Sequence, residues 1–184
     1  ALIDRAGHRG LSIKARLGLL DDPFRGKEQT ARAPSRQDGR KLARKAAARA
    51  AVLLKNDGVL PLSPDIDVAL IGPFARDRAN MLGTWAVSGK AEDVVPLHEA
   101  VAALTGQPPA TAWGANIVDE DWLAGRLNVH GATVTQDPRP EDELIAEAVE
   151  AALAADVVIA AVGEAKEHAG ESSSRLSPDL PAPQ

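Results

Sequence analysis

One segment near the end of the chain concentrates groups that could do acid–base chemistry. Residues 163–175 (Gly-Glu-Ala-Lys-Glu-His-Ala-Gly-Glu-Ser-Ser-Ser-Arg) carry three carboxylates, one imidazole and one guanidinium. Side chains of these types can hydrogen-bond to a ligand or hold a metal ion. Glu171 is the preferred candidate, because Gly170 and the serines that follow allow the backbone to approach a ligand and hydrogen-bond it. The alternative is a solvated loop carboxylate.

The same segment contains a spacing that metal sites use. Four possible ligands stand at i, i+3, i+4 and i+7, which would share one face of a helix: Glu164, Glu167, His168 and Glu171. Gly163, Gly170 and the serine run disfavour a helix there. Cysteine is absent, so thiolate ligands and thiol nucleophiles are excluded, and no glycine-rich phosphate loop occurs. We therefore expect neither a metal nor a cofactor.

A tryptophan stands in a second candidate loop. Trp85 lies between glycines in residues 75–95, directly after the apolar run 67–72. Aromatic faces stack on the apolar faces of sugar rings, so Trp85 is a candidate sugar platform, and packing in a core is the alternative. Trp113 and Trp122 lack such a setting, and we expect both to be packing residues.

The elements that must position these loops have an α/β pattern. Short apolar runs predict three strands, over 67–72, 110–113 and 156–162, and helical patterns are found over 97–104 and from Pro140 through Ala155. Strands and helices alternate, so we expect an α/β fold with an incomplete, mainly parallel sheet flanked by helices. Both candidate loops follow a strand, and in open α/β sheets ligands bind beyond the carboxyl ends of strands.

The first 55 residues differ from the remainder in charge. They hold 14 basic and 5 acidic residues, whereas residues 56–184 hold 7 and 21. Helical patterns are found over 2–20 and 40–55, separated by a turn-rich stretch. Aromatic residues make up only 3% of the chain, which argues against a nucleic-acid-binding arm, so we prefer a basic segment lying against an acidic body. No run approaches the ~20 apolar residues of a membrane helix, and we expect no membrane partner.

Several short motifs, in this order, resemble glycoside hydrolase family 3, the β-glucosidase and β-xylosidase group. They are Leu53-Leu54-Lys55-Asn56 with Leu60-Pro61-Leu62, then Ala69-Leu70-Ile71-Gly72-Pro73, Gly83-Thr84-Trp85, Gly114-Ala115-Asn116, and Gly163-Glu164-Ala165 leading to Glu171-Ser172-Ser173-Ser174-Arg175. Upstream, Arg16-Leu17-Gly18-Leu19-Leu20 with Asp22-Pro23-Phe24 resembles the end of the family's first domain, a (β/α)8-type barrel. The resemblance predicts the end of the barrel domain in 1–24, a linker in 25–39, and the first part of the second, α/β-sandwich domain in 40–184.

The resemblance implies a retaining β-glycosidase that removes terminal non-reducing β-D-glycosyl groups with two carboxylates. Glu171 matches the family's general acid/base, and Trp85 matches the aromatic residue that helps hold the sugar in the leaving-group subsite. The family's nucleophilic aspartate belongs to segments before Ala1, so the chain alone is expected to be inactive. The alternative is a non-catalytic carbohydrate-binding or interaction module of the same fold.

The same resemblance names the expected partners. They are a β-linked oligosaccharide or an aryl or alkyl glycoside, together with the missing barrel domain of the same protein. Most similar is the periplasmic type of bacterial β-glucosidase, which suggests a periplasmic or secreted location by resemblance only.

Overall fold

A computed structural model describes residues 1–27, 35–118, 124–125, 134–171 and 174–184 of the chain. They form two compact units, Ala1–Gly58 and Val59–Gln184. Trp122, Ser172, Ser173 and the middle of the predicted linker lie outside the described residues. Within the described ranges, no helix is long and apolar enough to cross a membrane. The three predicted segments, 1–24, 25–39 and 40–184, stay predictions.

Among its described residues, the first unit contains two α-helices, α1 (Leu2–Arg16) and α2 (Arg36–Ala50). Helix α1 lies within the segment predicted from 2–20. Helix α2 begins four residues earlier and ends five residues earlier than the predicted 40–55, so both predicted ends are wrong. Its start is fixed by Ser35, whose Oγ accepts a hydrogen bond from the Asp38 backbone N–H at 3.1 Å. This N-cap satisfies one of the free N–H groups of the first turn.

The second unit has the alternating order that the sequence predicts. In chain order, the described residues of this unit form β1 (Val68–Ile71), α3 (Leu97–Thr105), β2 (Ala110–Ala112), α4 (Glu141–Leu153) and β3 (Val157–Ala160), with short 3₁₀ turns in the loops. The strands lie in the order β2-β1-β3, and both pairings are parallel. The expected α/β fold with a small parallel sheet is therefore confirmed.

Strand β1 is the centre of this unit. Ala69 and Leu70 are fully buried between the two neighbouring strands. Helix α4 packs on β1 and β2 with Leu144, which is only 1% exposed. Pro140 precedes α4 and three acidic residues fill its first turn, where the helix dipole favours negative charge. The apolar run 67–72 is thus a strand buried on both faces, as its composition predicts.

A close backbone approach aligns the carboxyl ends of β1 and β3. Gly72 follows β1 with φ +121°, and a Cβ added there would lie 2.3 Å from the Ala161 carbonyl oxygen. The Ala161 N–H donates to the Ile71 carbonyl oxygen at 2.6 Å, so the two strands remain paired where both loops begin. Only glycine fits this position, both for its positive φ and for the missing Cβ.

Replacing Gly72 by alanine is expected to destabilise this unit by about 2–4 kcal/mol, because the new methyl group displaces the β3 backbone and the left-handed φ adds strain. Urea denaturation of the chain, followed by circular dichroism, measures the change. Gly106→Ala is the matched control, since Gly106 has φ +77° but open space around its Cβ position. The control should cost only about 1–2 kcal/mol, and equal losses in the two variants would contradict the steric argument.

Candidate active site

Glu171 lies on a loop whose base is firmly packed. The loop leaves β3 through Gly163, and Ala165 is only 2% exposed, in a cluster with Ile117, Val118 and Val134. A short 3₁₀ helix, Lys166–His168, follows, and Glu171 then stands in a turn with an exposed side chain. The carboxylate is therefore presented to solvent from an anchored loop.

Trp85 is presented in the same way by the loop after β1. A 3₁₀ helix, Asn80–Leu82, ends at Gly83 with φ +75°, and Thr84 and Trp85 follow. The Trp85 side chain is 70% exposed, so it takes no part in the core of the described residues. An indole exposed in this way leaves an apolar face free for a ligand.

Two side chains of the Trp85 loop hydrogen-bond to the Glu171 loop. Asn80 Oδ1 accepts from the Lys166 backbone N–H at 2.8 Å. Thr84 Oγ1 donates to the Lys166 carbonyl oxygen and lies 3.2 Å from the carbonyl oxygen of Ala169. These contacts of Asn80 and Thr84, called the tie below, join the two loops. They connect residues more than 80 positions apart in the sequence.

The same contacts involve the residues that directly precede Glu171 and Trp85 in the chain. A Cβ added to Gly170 would lie 3.2 Å from Thr84 Cγ2, so the Gly170 backbone approaches the Thr84 methyl group. Glu171 directly follows Gly170, and Trp85 directly follows Thr84. The residues that directly precede the two candidates are therefore in contact, beyond the carboxyl ends of the parallel strands β1 and β3. The sequence predicts that Gly170 lets the backbone approach a ligand, and in this structure the group that it approaches is the Thr84 methyl group.

The remaining charged groups of the loop have partners of their own. Glu164 forms an ion pair with Arg175, which brackets the segment that carries Glu171. Glu167 is only 4% exposed and lies 3.7 Å from Lys166 Nζ. Among the described residues, no group of three or more His, Asp or Glu side chains is arranged to hold a metal ion.

His168 is held in its neutral form by its surroundings. Its Nδ1 accepts a hydrogen bond from the Ala165 backbone N–H at 3.1 Å, so the proton of the neutral ring is on Nε2. Burial lowers the pKa of His168, and the nearby Glu167 carboxylate opposes this effect without overcoming it. His168 therefore anchors the start of the 3₁₀ turn.

A second polar network holds the segment that follows β2. Asn116, in the Gly114-Ala115-Asn116 motif, accepts from Trp113 Nε1 at 2.9 Å and bonds both the N–H and the carbonyl oxygen of Asp137. Hydrogen bonds from Arg139 hold the pKa of the Asp137 carboxyl below its usual range. Trp113 is thus a partly buried structural residue, as predicted.

Sequence reasoning missed the residues that tie the loops together. Asp77 accepts hydrogen bonds from both the backbone and the side chain of Asn80, at 2.7 and 2.9 Å, which fixes the Asn80 amide. An aspartate three positions before an asparagine is a local turn signal that was available in the sequence. The partner of Asn80, 86 residues later, has no such local signal.

Comparison with known proteins identifies the family. The glycosyl hydrolase family 3 C-terminal domain matches residues 51–184, almost three quarters of the chain. The chain belongs to glycoside hydrolase family 3.

The relatives of this family 3 chain carry glycosidase names. A periplasmic β-glucosidase of Salmonella typhimurium is 33% identical over the whole chain, which corresponds to 25% of that enzyme. A probable β-D-xylosidase of Arabidopsis thaliana is 41% identical over 46% of the chain and 11% of its own length. The family 3 chain thus spans about a quarter or less of the length of the curated relatives it matches.

Solved family 3 structures share this fold. A β-glucosidase from Listeria innocua in complex with glucose covers 93% of the chain, with a TM-score of 0.70 and 28% identity. A mutant of that enzyme in complex with laminaribiose matches with a TM-score of 0.72 and 27% sequence identity. The chain corresponds to 20% and 21% of these two structures.

The neutral His168 predicts that the unit loses stability in acid. The unfolded chain binds a proton at His168 near its ordinary pKa of about 6.5, whereas the folded chain binds it only at lower pH. Below about pH 6.5 the unfolded state binds more protons, so the free energy of unfolding falls as the pH decreases.

His168→Asn tests this prediction, because asparagine keeps an acceptor near the Nδ1 position and does not titrate. Urea denaturation at pH 7.5 and pH 5 should show a smaller loss of stability for His168→Asn than for the unchanged chain. His8→Asn, at an exposed helix position, is the control and should leave the loss unaltered. An identical pH dependence in all three proteins would contradict the assignment.

Proposed function

We propose that the chain is the acid/base-bearing part of a retaining β-glycosidase that removes terminal non-reducing β-D-glycosyl groups. In this proposal Glu171 is the general acid/base and Trp85 is a platform for the leaving group. The observation that carries it is the tie between their loops, with Thr84 bonded to Lys166 and packed near Gly170. Membership of family 3 and the glycosidase names of the relatives support the reaction class.

The proposed reaction divides the work between two carboxylates from different segments. A nucleophilic aspartate of the barrel domain, the proposed partner, attacks the anomeric carbon. Glu171 gives its proton to the glycosidic oxygen as the bond to the leaving group breaks. In the second step Glu171 takes a proton from water, and the resulting hydroxide oxygen displaces the aspartate from the glycosyl-enzyme.

The exposure of Glu171 supports the barrel partner of this proposal. Retention needs the two carboxyl groups roughly 5–5.5 Å apart, and the second one is supplied by the barrel in this proposal. Burial is one way to raise the pKa of a carboxyl group, so that it stays protonated near neutral pH. The barrel and the bound sugar would provide that burial by covering the exposed turn at Glu171.

The names and bound ligands of the relatives support a proposed substrate class and a proposed location. The Listeria β-glucosidase was solved with glucose and, as a mutant, with laminaribiose, which supports β-linked glucosides as substrates for the protein that carries this chain. The Salmonella relative is named as periplasmic. We accordingly propose a periplasmic or secreted β-glucosidase.

The decisive test compares the hydrolytic activity of the isolated chain with that of a hybrid enzyme that contains it. By itself, the 184-residue chain should not hydrolyse p-nitrophenyl β-glucoside. A hybrid in which it replaces the matching segment of the Salmonella enzyme should be active. In that hybrid, Glu171→Gln should lower kcat/KM for phenyl β-glucoside by about 10²–10⁴-fold, because the departing oxygen is no longer protonated.

Glu150→Gln is the matched control, since Glu150 is an exposed glutamate on α4, away from the candidate loops. It should leave the kinetics of the hybrid unchanged. Full activity of the Glu171→Gln hybrid would overturn the proposal, and turnover by the unmodified chain alone would overturn the need for a partner.

Trp85→Ala tests the platform role in the same hybrid. Removing the exposed indole should raise KM for a β-linked disaccharide by about three- to tenfold, since stacking on the leaving-group sugar is lost. Trp85→Phe keeps a flat apolar face and should retain most of the affinity. An unchanged KM for Trp85→Ala would show that the indole does not contact the substrate.

A further inference from the structure

We infer that Asn80 and Thr84 are positioning residues that hold the Glu171 loop in its working orientation. This inference rests on the proposed function, because the position of the loop affects the reaction only if Glu171 gives a proton to the leaving group. Neither side chain need touch the substrate. Their effect reaches the reaction through the backbone of residues 166–170.

The Asn80 half of the tie is built to be rigid. Both oxygens of the Asp77 carboxylate accept hydrogen bonds from Asn80, one from the backbone N–H and one from Nδ2. A carboxylate cannot donate a hydrogen bond, so Nδ2 must face Asp77 and Oδ1 must face the Lys166 N–H. The Asn80 amide therefore has one orientation, and it fixes the start of the 3₁₀ turn in the opposite loop.

The Thr84 half bonds to the first residue of that turn and approaches the residue that follows it. Its hydroxyl donates to the carbonyl oxygen of Lys166 and lies within hydrogen-bonding distance of the carbonyl oxygen of Ala169, two residues before Glu171. Its methyl group faces the Gly170 backbone. One side chain thus contacts three points of the segment that leads directly to the carboxylate.

These contacts bear on the reaction because acid catalysis depends on position. A general acid must lie within hydrogen-bond reach of the oxygen that it protonates, about 2.6–3.2 Å. Glu171 is exposed in a turn, and the tie to Asn80 and Thr84 connects the preceding 3₁₀ turn to the loop after β1. Loss of the tie should therefore weaken protonation while leaving nucleophilic attack intact.

The dependence on the leaving group separates positioning from a general structural role. Phenyl β-glucoside needs a proton on its departing oxygen, whereas 2,4-dinitrophenyl β-glucoside leaves without one. Both carry one aromatic ring, so stacking on Trp85 is similar. A defect in acid positioning steepens the fall of log kcat/KM with the pKa of the leaving phenol, and a loss of folded protein lowers both substrates equally.

The experiment introduces Thr84→Val into the hybrid enzyme described above, since valine keeps the methyl group and removes only the donor. We expect kcat/KM to fall about three- to tenfold for phenyl β-glucoside, the effect of one lost hydrogen bond, and to stay unchanged for 2,4-dinitrophenyl β-glucoside. Thr84→Ser, which keeps the hydroxyl, should behave as the unchanged hybrid.

Thr105→Val is the matched control. Thr105 Oγ1 also bonds two backbone carbonyl oxygens, those of Val101 and Gln107, but it does so at the end of α3. Its replacement should leave the leaving-group dependence unaltered. The same steepening in Thr105→Val would show that the effect is structural and would overturn the inference.

A second measurement on the 184-residue chain keeps the inference testable if the hybrid does not fold. Amide hydrogen exchange of Lys166, whose N–H is bonded to Asn80, should speed up several-fold in Thr84→Val relative to Thr105→Val. An equal exchange rate of the Lys166 amide in the two variants would show that Thr84 does not hold the Glu171 loop, and it would overturn the inference. If Glu171→Gln shows the acid defect but Thr84→Val does not, the positioning role fails and the proposed function stands. If Glu171→Gln has no effect, the proposed function itself fails.

Discussion

The approach of Gly72 to the Ala161 carbonyl oxygen is the contact on which the candidate site depends. It keeps β1 and β3 paired up to the points where their loops begin. The loops that carry Trp85 and Glu171 begin at these two neighbouring strand ends, and the bond from Thr84 to Lys166 joins them beyond the sheet. The absence of a side chain at Gly72 permits the close backbone approach from which both loops start.

The alternation of strands and helices along the chain, and with it the parallel direction of the strands, could be predicted from the sequence. Val68–Ile71 and Val157–Ala160 are apolar runs bounded by glycine, and a helix lies between successive strands. The end of α2 at Ala50 could not be predicted, because neither glycine nor proline marks it. Its start could have been found from Ser35, which is a standard N-cap residue.

The candidate site was predictable only where a motif carried it. Glu171 and Trp85 were found from their positions after strands and from the family resemblance. Asn80 and Thr84 are ordinary loop residues in the sequence, and their meaning depends on partners more than 80 positions away. Such pairings follow from the folded sheet and not from any periodicity along the chain. Polar ties between loops are therefore the part of a site that composition and spacing reveal least.

The Glu171 loop is fastened in two physically different ways. Glu164 and Arg175 attract each other as partly exposed charges, whereas the bonds to Asn80 and Thr84 join neutral groups. Dissolved ions weaken the attraction between exposed charges, and the screening distance shortens from about 10 Å at 0.1 M to about 3 Å at 1 M ionic strength, whereas bonds between neutral groups depend much less on salt. Concentrated salt would consequently weaken the Glu164–Arg175 attachment while the bonds to Asn80 and Thr84 persist.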